Sequence, residues 1–122
     1  MAKKILIIDD EPDVVKMMLY RLKAKGYDVV TANDGARGVL EAKRTRPDAV
    51  VLDYCLPDMR ALDVANGIRE DRYLKDVPIV LVTASIEDIR NKAEECGADE
   101  YVSKPVDPQE LCVKLEKCVN GR

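Results

Sequence analysis

Short uninterrupted apolar runs alternate with stretches of helical periodicity five times along the chain. The first run, Ile5-Leu6-Ile7-Ile8, predicts a strand over Lys4 to Ile8, and Val14, Val15, Met18, Leu19 and Leu22 then recur at helical spacing. That pattern predicts a helix from about Pro12 to Lys25, with the proline in its favoured first turn and Gly26 ending it. A short strand is expected over Asp28 to Thr31. Asn33-Asp34-Gly35 supplies a turn and an N-cap for a second helix to about Arg46, with Ala36, Val39 and Leu40 as its apolar face and Pro47 as its stop. The third strand, Ala49 to Leu52, is apolar throughout, as expected of a strand covered on both faces. After the loop Tyr54 to Arg60, Ala61, Val64, Ala65 and Ile68 fall at i, i+3, i+4 and i+7, although Gly67 weakens that helix. Ile79 to Val82 is the fourth strand. Ser85-Ile86-Glu87-Asp88 has the spacing of a capping box and opens a helix to about Cys96, ended by Gly97. A fifth strand over Glu100 to Val102 precedes Asp107-Pro108-Gln109-Glu110, a helix start with an N-cap, a proline at N1 and an acid at N3. The last helix runs to about Val119 with Leu111, Leu115 and Cys118 on one face.

A (βα)5 pattern of this kind predicts an α/β domain, an open doubly wound five-stranded parallel sheet with helices on both faces. Five strands are too few for the closed eight-stranded barrel. In such sheets ligands bind beyond the carboxyl ends of the strands, where the strand order reverses. For the order 2-1-3-4-5 that point lies between strands one and three. Asp9 and Asp10 follow strand one, Asp53 follows strand three, Thr83 ends strand four and Lys104 follows strand five. These side chains can therefore converge without reaching far. Three crowded carboxylates repel one another, so a cation must share the site or a proton must occupy it. An all-oxygen set suits Mg2+. Lys104 adds a point charge for a phosphate oxygen and Thr83 a hydroxyl, which together make a phosphoryl-transfer site with a carboxylate nucleophile. No glycine-rich phosphate loop is present, which argues against a bound nucleotide donor.

Composition narrows the chemistry further. The 122 residues are expected to form one domain, 1–122, with a single-core architecture. Histidine is absent, which removes Ser-His, Cys-His and His-metal chemistry. The net charge of −3, with no basic stripe and neither Trp nor Phe, argues against direct binding to nucleic acid. No apolar run is long enough to cross a membrane, and Met1-Ala2-Lys3-Lys4 leads into a strand rather than a cleavable signal, so a cytoplasmic location without membrane insertion is expected. Cys55, Cys96, Cys112 and Cys118 form no C-x-x-C pair; the last three read as small core residues.

Ile7-Ile8-Asp9-Asp10-Glu11-Pro12, Val51-Leu52-Asp53-Tyr54-Cys55-Leu56-Pro57-Asp58-Met59, Val82-Thr83-Ala84 and Val102-Ser103-Lys104-Pro105 resemble the motif set of bacterial two-component response-regulator receiver domains, of the single-domain, chemotaxis-regulator type. The resemblance spans essentially the whole chain and implies the flavodoxin-like receiver fold with strand order 2-1-3-4-5. It also implies that Asp53 is a phosphoacceptor attacking a phosphohistidine on a sensor histidine kinase or a histidine phosphotransfer protein. Asp10 and Asp53 would ligate Mg2+, or Mn2+ in its place, with the backbone carbonyl of Cys55 as a further ligand and Asp9 acting mainly through water. Lys104 would pair with Asp53 and then with the phosphoryl group, across a cis Lys104-Pro105 bond. Thr83 and Tyr101 would form a switch altering the face made by helix 4, strand 5 and helix 5, and hence the binding of a downstream protein. The chain departs from the family at Ala61, where glycine is common, and a residue with a Cβ there is strained if φ is positive. Cys55 and Ser85 occupy family-variable positions associated with the dephosphorylation rate.

Simpler readings stand beside these. Asp53 is able to cap the loop that follows it and Asp9 the first helix, Glu11 reads as a first-turn acid complementing the helix dipole, and Tyr101 as packing on an edge strand. Two rival functions remain: a phosphorylation-independent pseudo-receiver, and a Mg2+-dependent phosphohydrolase with an aspartate nucleophile. The second acid that such hydrolases carry two residues after the nucleophile is replaced here by Cys55. A flavin carrier is disfavoured because acids take the place of a phosphate loop after strand one. The expected role is signalling rather than turnover of a substrate. With no output domain after Asn120-Gly121-Arg122, the chain reads as a free-standing regulator, a relay carrier or a receiver excised from a longer protein.

Overall fold

Alternation along each strand divides the apolar residues between two cores. The computed structural model describes residues 2–84 and 87–120. Its elements are β1 (Lys4–Ile8), α1 (Pro12–Ala24), β2 (Asp28–Ala32), α2 (Gly35–Thr45), β3 (Ala49–Asp53), α3 (Ala61–Arg69), β4 (Ile79–Thr83), α4 (Ile89–Cys96), β5 (Glu100–Ser103) and α5 (Pro108–Asn120). All strand pairings are parallel, in the order β2-β1-β3-β4-β5. Leu6, Ile8, Val50, Leu52, Ile79 and Leu81 point to one face, against Ala65 and Ile68 of α3, Ala42 of α2 and Ala93 of α4. Ile5, Ile7, Val51, Val80 and Val82 point to the other, against Met18 and Leu22 of α1 and Leu111 and Leu115 of α5. The period-2 geometry of a strand thus explains why these runs are apolar at every position.

Most helix ends follow the chemistry read from the sequence. Asp34 caps α2 by accepting from the Arg37 amide at 2.7 Å. Asp107 accepts from the Gln109 amide at 2.9 Å at the start of α5. Gly26 and Gly97 take positive φ beyond the ends of α1 and α4. The strands run one residue further than the apolar runs suggest, so Asp53 and Thr83 are themselves ladder residues, opposite Val82 and Ser103. Helix α4 begins only at Ile89, after Asp88 in a left-handed conformation. Ser85 and Ile86 of the expected capping box lie outside the described residues.

Helix α2 corrects the expected apolar face. Ala36 is exposed and Leu40 is largely so, while Gly35, Gly38 and Ala42 are buried. The helix lies against the sheet through its smallest residues. A Cβ on Gly38 would fall 2.5 Å from Ile8 Cδ1 and 2.9 Å from its Cγ1 and Cγ2, and one on Gly35 would fall 2.9 Å from Met59 Cβ. Close approach, rather than a large apolar stripe, fixes this helix. Ala61 proves unstrained: it is the first residue of α3, buried, and preceded by Arg60 at φ −72°. Among described non-glycine residues only Arg46 and Asp88 have positive φ.

The close approach of α2 predicts the effect of Gly38→Ala. Alanine raises intrinsic helix propensity by about 1 kcal/mol, but the added methyl overlaps three carbons of the fully buried Ile8, and overpacking of that kind costs about 1–3 kcal/mol. Urea unfolding is expected to show a net loss of about 1 kcal/mol; a net gain would contradict the packing described.

Candidate functional site

Backbone hydrogen bonds at the sheet's carboxyl edge bring the strand ends into one concavity. The Asp9 amide donates to Ala32 O at 3.1 Å, the Tyr54 amide to Val82 O at 2.8 Å and the Lys104 amide to Thr83 O at 2.9 Å. Each bond fixes one site residue, or its neighbour, against the adjacent strand. Asp9, Asp53 and Thr83 are consequently the buried polar residues of the described chain, 2%, 4% and 1% exposed. Asp10, one residue beyond the strand, is exposed at the rim. Carboxylate oxygens of Asp9, Asp10 and Asp53 all lie within 4.8 Å of one another. A cavity of about 520 Å³ opens beside Asp9 and Asp10 between α1 and α2, lined also by Pro12, Lys16 and Arg37.

Lys104 reaches into this acidic group from the loop after β5. Its side chain is only 10% exposed, and Nζ lies 3.1 Å from Asp9 Oδ2 and 3.3 Å from Asp53 Oδ2. It also donates to Glu11 Oε1. The peptide bond to Pro105 is cis. Both buried acids serve the local roles that single aspartates at strand ends can fill: Asp53 Oδ1 accepts from the Cys55 amide at 3.2 Å, and Asp9 Oδ1 from the Glu11 amide at 2.9 Å. Those bonds leave Asp53 Oδ2 and Asp9 Oδ2 facing the lysine. Asp9 Oδ2 is buried, and the Lys104 ammonium at 3.1 Å is its charge partner.

The charges do not balance locally. Burial raises the Asp53 carboxyl, and the neighbouring Asp9 charge raises it further; the Cys55 amide and Lys104 oppose both, leaving the pKa at about 6. Burial pulls Lys104 the other way, but its hydrogen bond to Glu11 and the charges of Asp53 and Asp9 outweigh it, so its pKa stands above the ordinary lysine value. The lysine therefore stays charged, while burial and a like charge make the Asp53 carboxyl beside it harder to ionise than an ordinary aspartate. Three converging carboxylates, two of them buried, are the donor set a small hard cation requires: oxygen ligands and excess negative charge that one lysine does not balance. The residues present fit Mg2+.

The structure brings together Asp9, Asp10, Asp53, Thr83 and Lys104, as the sequence predicts. Cys55 lies beside them with its side chain exposed and an isolated antiparallel bridge to Arg60. Tyr101 is half-buried against the core on the α3 and α4 face of the sheet, with Lys114 of α5 donating to its carbonyl at 2.5 Å and lying 5.2 Å from its ring centre. Two acids carry more than the sequence reading assigned. Glu11 makes no cap for its own helix and pairs with Lys104 instead. Asp58 accepts from the Gly35 and Ala36 amides at 2.8 and 3.0 Å, tying the loop after Asp53 to the start of α2. That N-terminal carboxylate is held below its usual range by those amides. Neither contact has a signal in residue spacing, since the partners are 93 and 22–23 positions apart.

Comparison with known proteins agrees with this geometry. The chain is 37% identical over 117 residues to the alkaline phosphatase synthesis transcriptional regulatory protein PhoP of Bacillus subtilis, covering 95% of this chain and 48% of that protein. It is 36% identical over 116 residues to the DNA-binding response regulator MtrA of Mycolicibacterium smegmatis, covering 94% and 50%. It thus spans about half the length of these curated relatives. Among solved structures, the chemotaxis response regulator CheY4 of Vibrio cholerae superimposes with a TM-score of 0.90 at 26% identity, over 97% of this chain and 99% of that one. The receiver domain of sensor histidine kinase PA1611 from Pseudomonas aeruginosa, which holds a magnesium ion in its active site cleft, superimposes with a TM-score of 0.90 at 28% identity, over 98% and 99%. The family model for the response regulator receiver domain matches residues 5–116, and the chain belongs to that family.

Proposed function

We propose that this receiver takes a phosphoryl group onto Asp53 and passes the change to a partner protein. The observation that carries the reading is the placement of Asp53, a buried strand-end carboxylate that shares the Lys104 ammonium with Asp9. Asp53 Oδ2 attacks phosphorus; the bond from phosphorus to the donor, an imidazole nitrogen of a phosphohistidine or the acyl oxygen of acetyl phosphate, breaks and its electron pair leaves with the donor. The chain has no histidine, so the imidazole comes from another molecule: a sensor histidine kinase or a histidine phosphotransfer protein. Asp10, Asp53 and the Cys55 carbonyl would hold Mg2+, with Asp9 mainly through water; Mn2+ has the same oxygen preference. When bound, the metal neutralises the carboxylates and the charge on the transferring group. Lys104 balances the remaining phosphoryl charge, and the Thr83 hydroxyl donates to one of its oxygens. Thr83 begins the route outward: it neighbours Ser103 across the ladder, and Tyr101 lies two residues away on β5. A shift of Thr83 with Tyr101 would alter the face made by α4, β5 and α5, where the downstream partner binds.

The proposal treats residues 1–122 as one receiver domain, a phosphorylated signal rather than an enzyme turning over a substrate, acting in the cytoplasm. No helix among the described residues is long and apolar enough to cross a membrane. Direct binding to DNA is not part of the proposal, because the chain carries a net charge of −3 and the matched relatives' names describe proteins twice its span.

Two measurements test this reading. Incubation with acetyl phosphate and Mg2+ is expected to add one phosphoryl group by intact mass, and Asp53→Asn to abolish it. Absence of the adduct from the native chain, or its persistence in the variant, would overturn the assignment. The second measurement is stability against pH. Because the folded pKa of Asp53 is raised, ionising it disfavours the folded state: its contribution is greatest below the unfolded value near 3.8 and is lost as pH rises through about 6. In metal-free buffer at pH 7.5, Asp53→Asn is expected to be more stable than the native chain by on the order of 3 kcal/mol, with the difference closing near pH 4. Millimolar Mg2+ should stabilise the native chain selectively and narrow the gap. Equal stability at pH 7.5 with no response to Mg2+ would contradict the charge crowding.

A further inference from the structure

The lysine of the site has one more partner than the phosphoryl chemistry requires. Lys104 Nζ faces Asp9 and Asp53, which belong to the trio that fits a cation, and Glu11, which does not. Glu11 occupies the N-cap of α1, yet its side chain makes no cap bond to that helix. Its backbone is anchored instead, the amide donating to Asp9 Oδ1 at 2.9 Å, and its carboxylate turns to the lysine while remaining 56% exposed. These contacts differ in what they can release. Asp9 and Asp53 are almost wholly buried and cannot recover water if Lys104 leaves them, whereas Glu11 rehydrates at little cost.

We infer that Glu11 is a positioning residue: in the resting protein it is the releasable counter-ion of Lys104, and it competes with the phosphoryl group for that lysine. The inference rests on Asp53 being the phosphoacceptor. A divalent cation on the acidic trio offsets the charge with which Asp9 and Asp53 hold Lys104, and Glu11 is then the carboxylate that retains it. A phosphoryl group on Asp53 brings a larger negative charge into the buried part of the site and draws the lysine off Glu11. The resting pair therefore acts as a threshold: every gain that Lys104 makes with the phosphoryl oxygens is reduced by what it loses with Glu11. Removing Glu11 lowers that threshold without touching the acceptor or the metal-binding acids.

The test uses the full chain at fixed pH and saturating Mg2+, with beryllium fluoride as a phosphoryl analogue titrated by calorimetry. Glu11→Gln is expected to bind the analogue about 3- to 10-fold tighter than the native chain, the range a partly exposed charged contact supports. Glu11→Asp keeps the charge but shortens the reach, and is expected to tighten binding in the same direction by a smaller factor. Asp13→Asn removes an equal charge from the same first turn and is expected to change affinity by less than about 2-fold, because a solvated charge acts only through a screened field. Affinity for Mg2+ alone should not tighten in Glu11→Gln, since loss of an acid cannot favour a cation. Unchanged or weaker analogue binding in Glu11→Gln, an equal shift in Asp13→Asn, or native affinity in Glu11→Asp would overturn the inference. Failure of the native chain to bind the analogue, or binding that survives Asp53→Asn, would instead overturn the phosphoacceptor reading beneath it.

Discussion

The burial of one carboxylate beside another governs this structure. Asp53 and Asp9 are withdrawn from water at the ends of adjacent strands, and a single lysine lies between them. A charge held that deeply must be paired, protonated or bound to a cation. Lys104 pairs with both, yet burial and the neighbouring Asp9 charge still raise the Asp53 carboxyl above the usual aspartate range. With Asp10 at the rim and one lysine for three carboxylates, the site is left short of positive charge, which is what a bound cation would supply.

Everything around that pair keeps it in place. Parallel register sets Asp9, Asp53 and Thr83 at one edge, and the two cores on either side of the sheet make the strands rigid. Asp58 holds the loop that follows Asp53 by clamping it to the amides of α2, and the glycines of α2 let that helix approach closely enough to be clamped. The opposite side of the site is looser. Helix α4 spans only eight residues, starts at a left-handed Asp88 without a side-chain cap, and has Ala93 and Cys96 as its buried residues. Lys92 lies over the ring of Tyr54, directly after Asp53.

The sequence disclosed the fold and five side chains of the site because both rest on local signals. Apolar runs mark strands, and polar residues at their carboxyl ends converge in any open parallel sheet, so Asp9, Asp10, Asp53, Thr83 and Lys104 could be placed together from position alone. Hydrophobic patterning points to the wrong face of α2, since it weighs large side chains and gives nothing to Gly35 and Gly38, whose value lies in having none. Local sequence marks Glu11 as a helix-dipole acid, since its partner Lys104 lies across the sheet, on the loop after β5. The concern over Ala61 dissolved for a related reason: its backbone angle depends on how Arg60 enters α3, which no residue type announces.

Direct titration of the Asp53 carboxyl by carbon NMR addresses the central claim that a buried, under-compensated acid defines this site. Without metal, the account predicts a midpoint near 6, well above an ordinary aspartate at 3.8, and a marked fall on adding Mg2+. A metal-free midpoint near 3.8 that does not move with Mg2+ would contradict it.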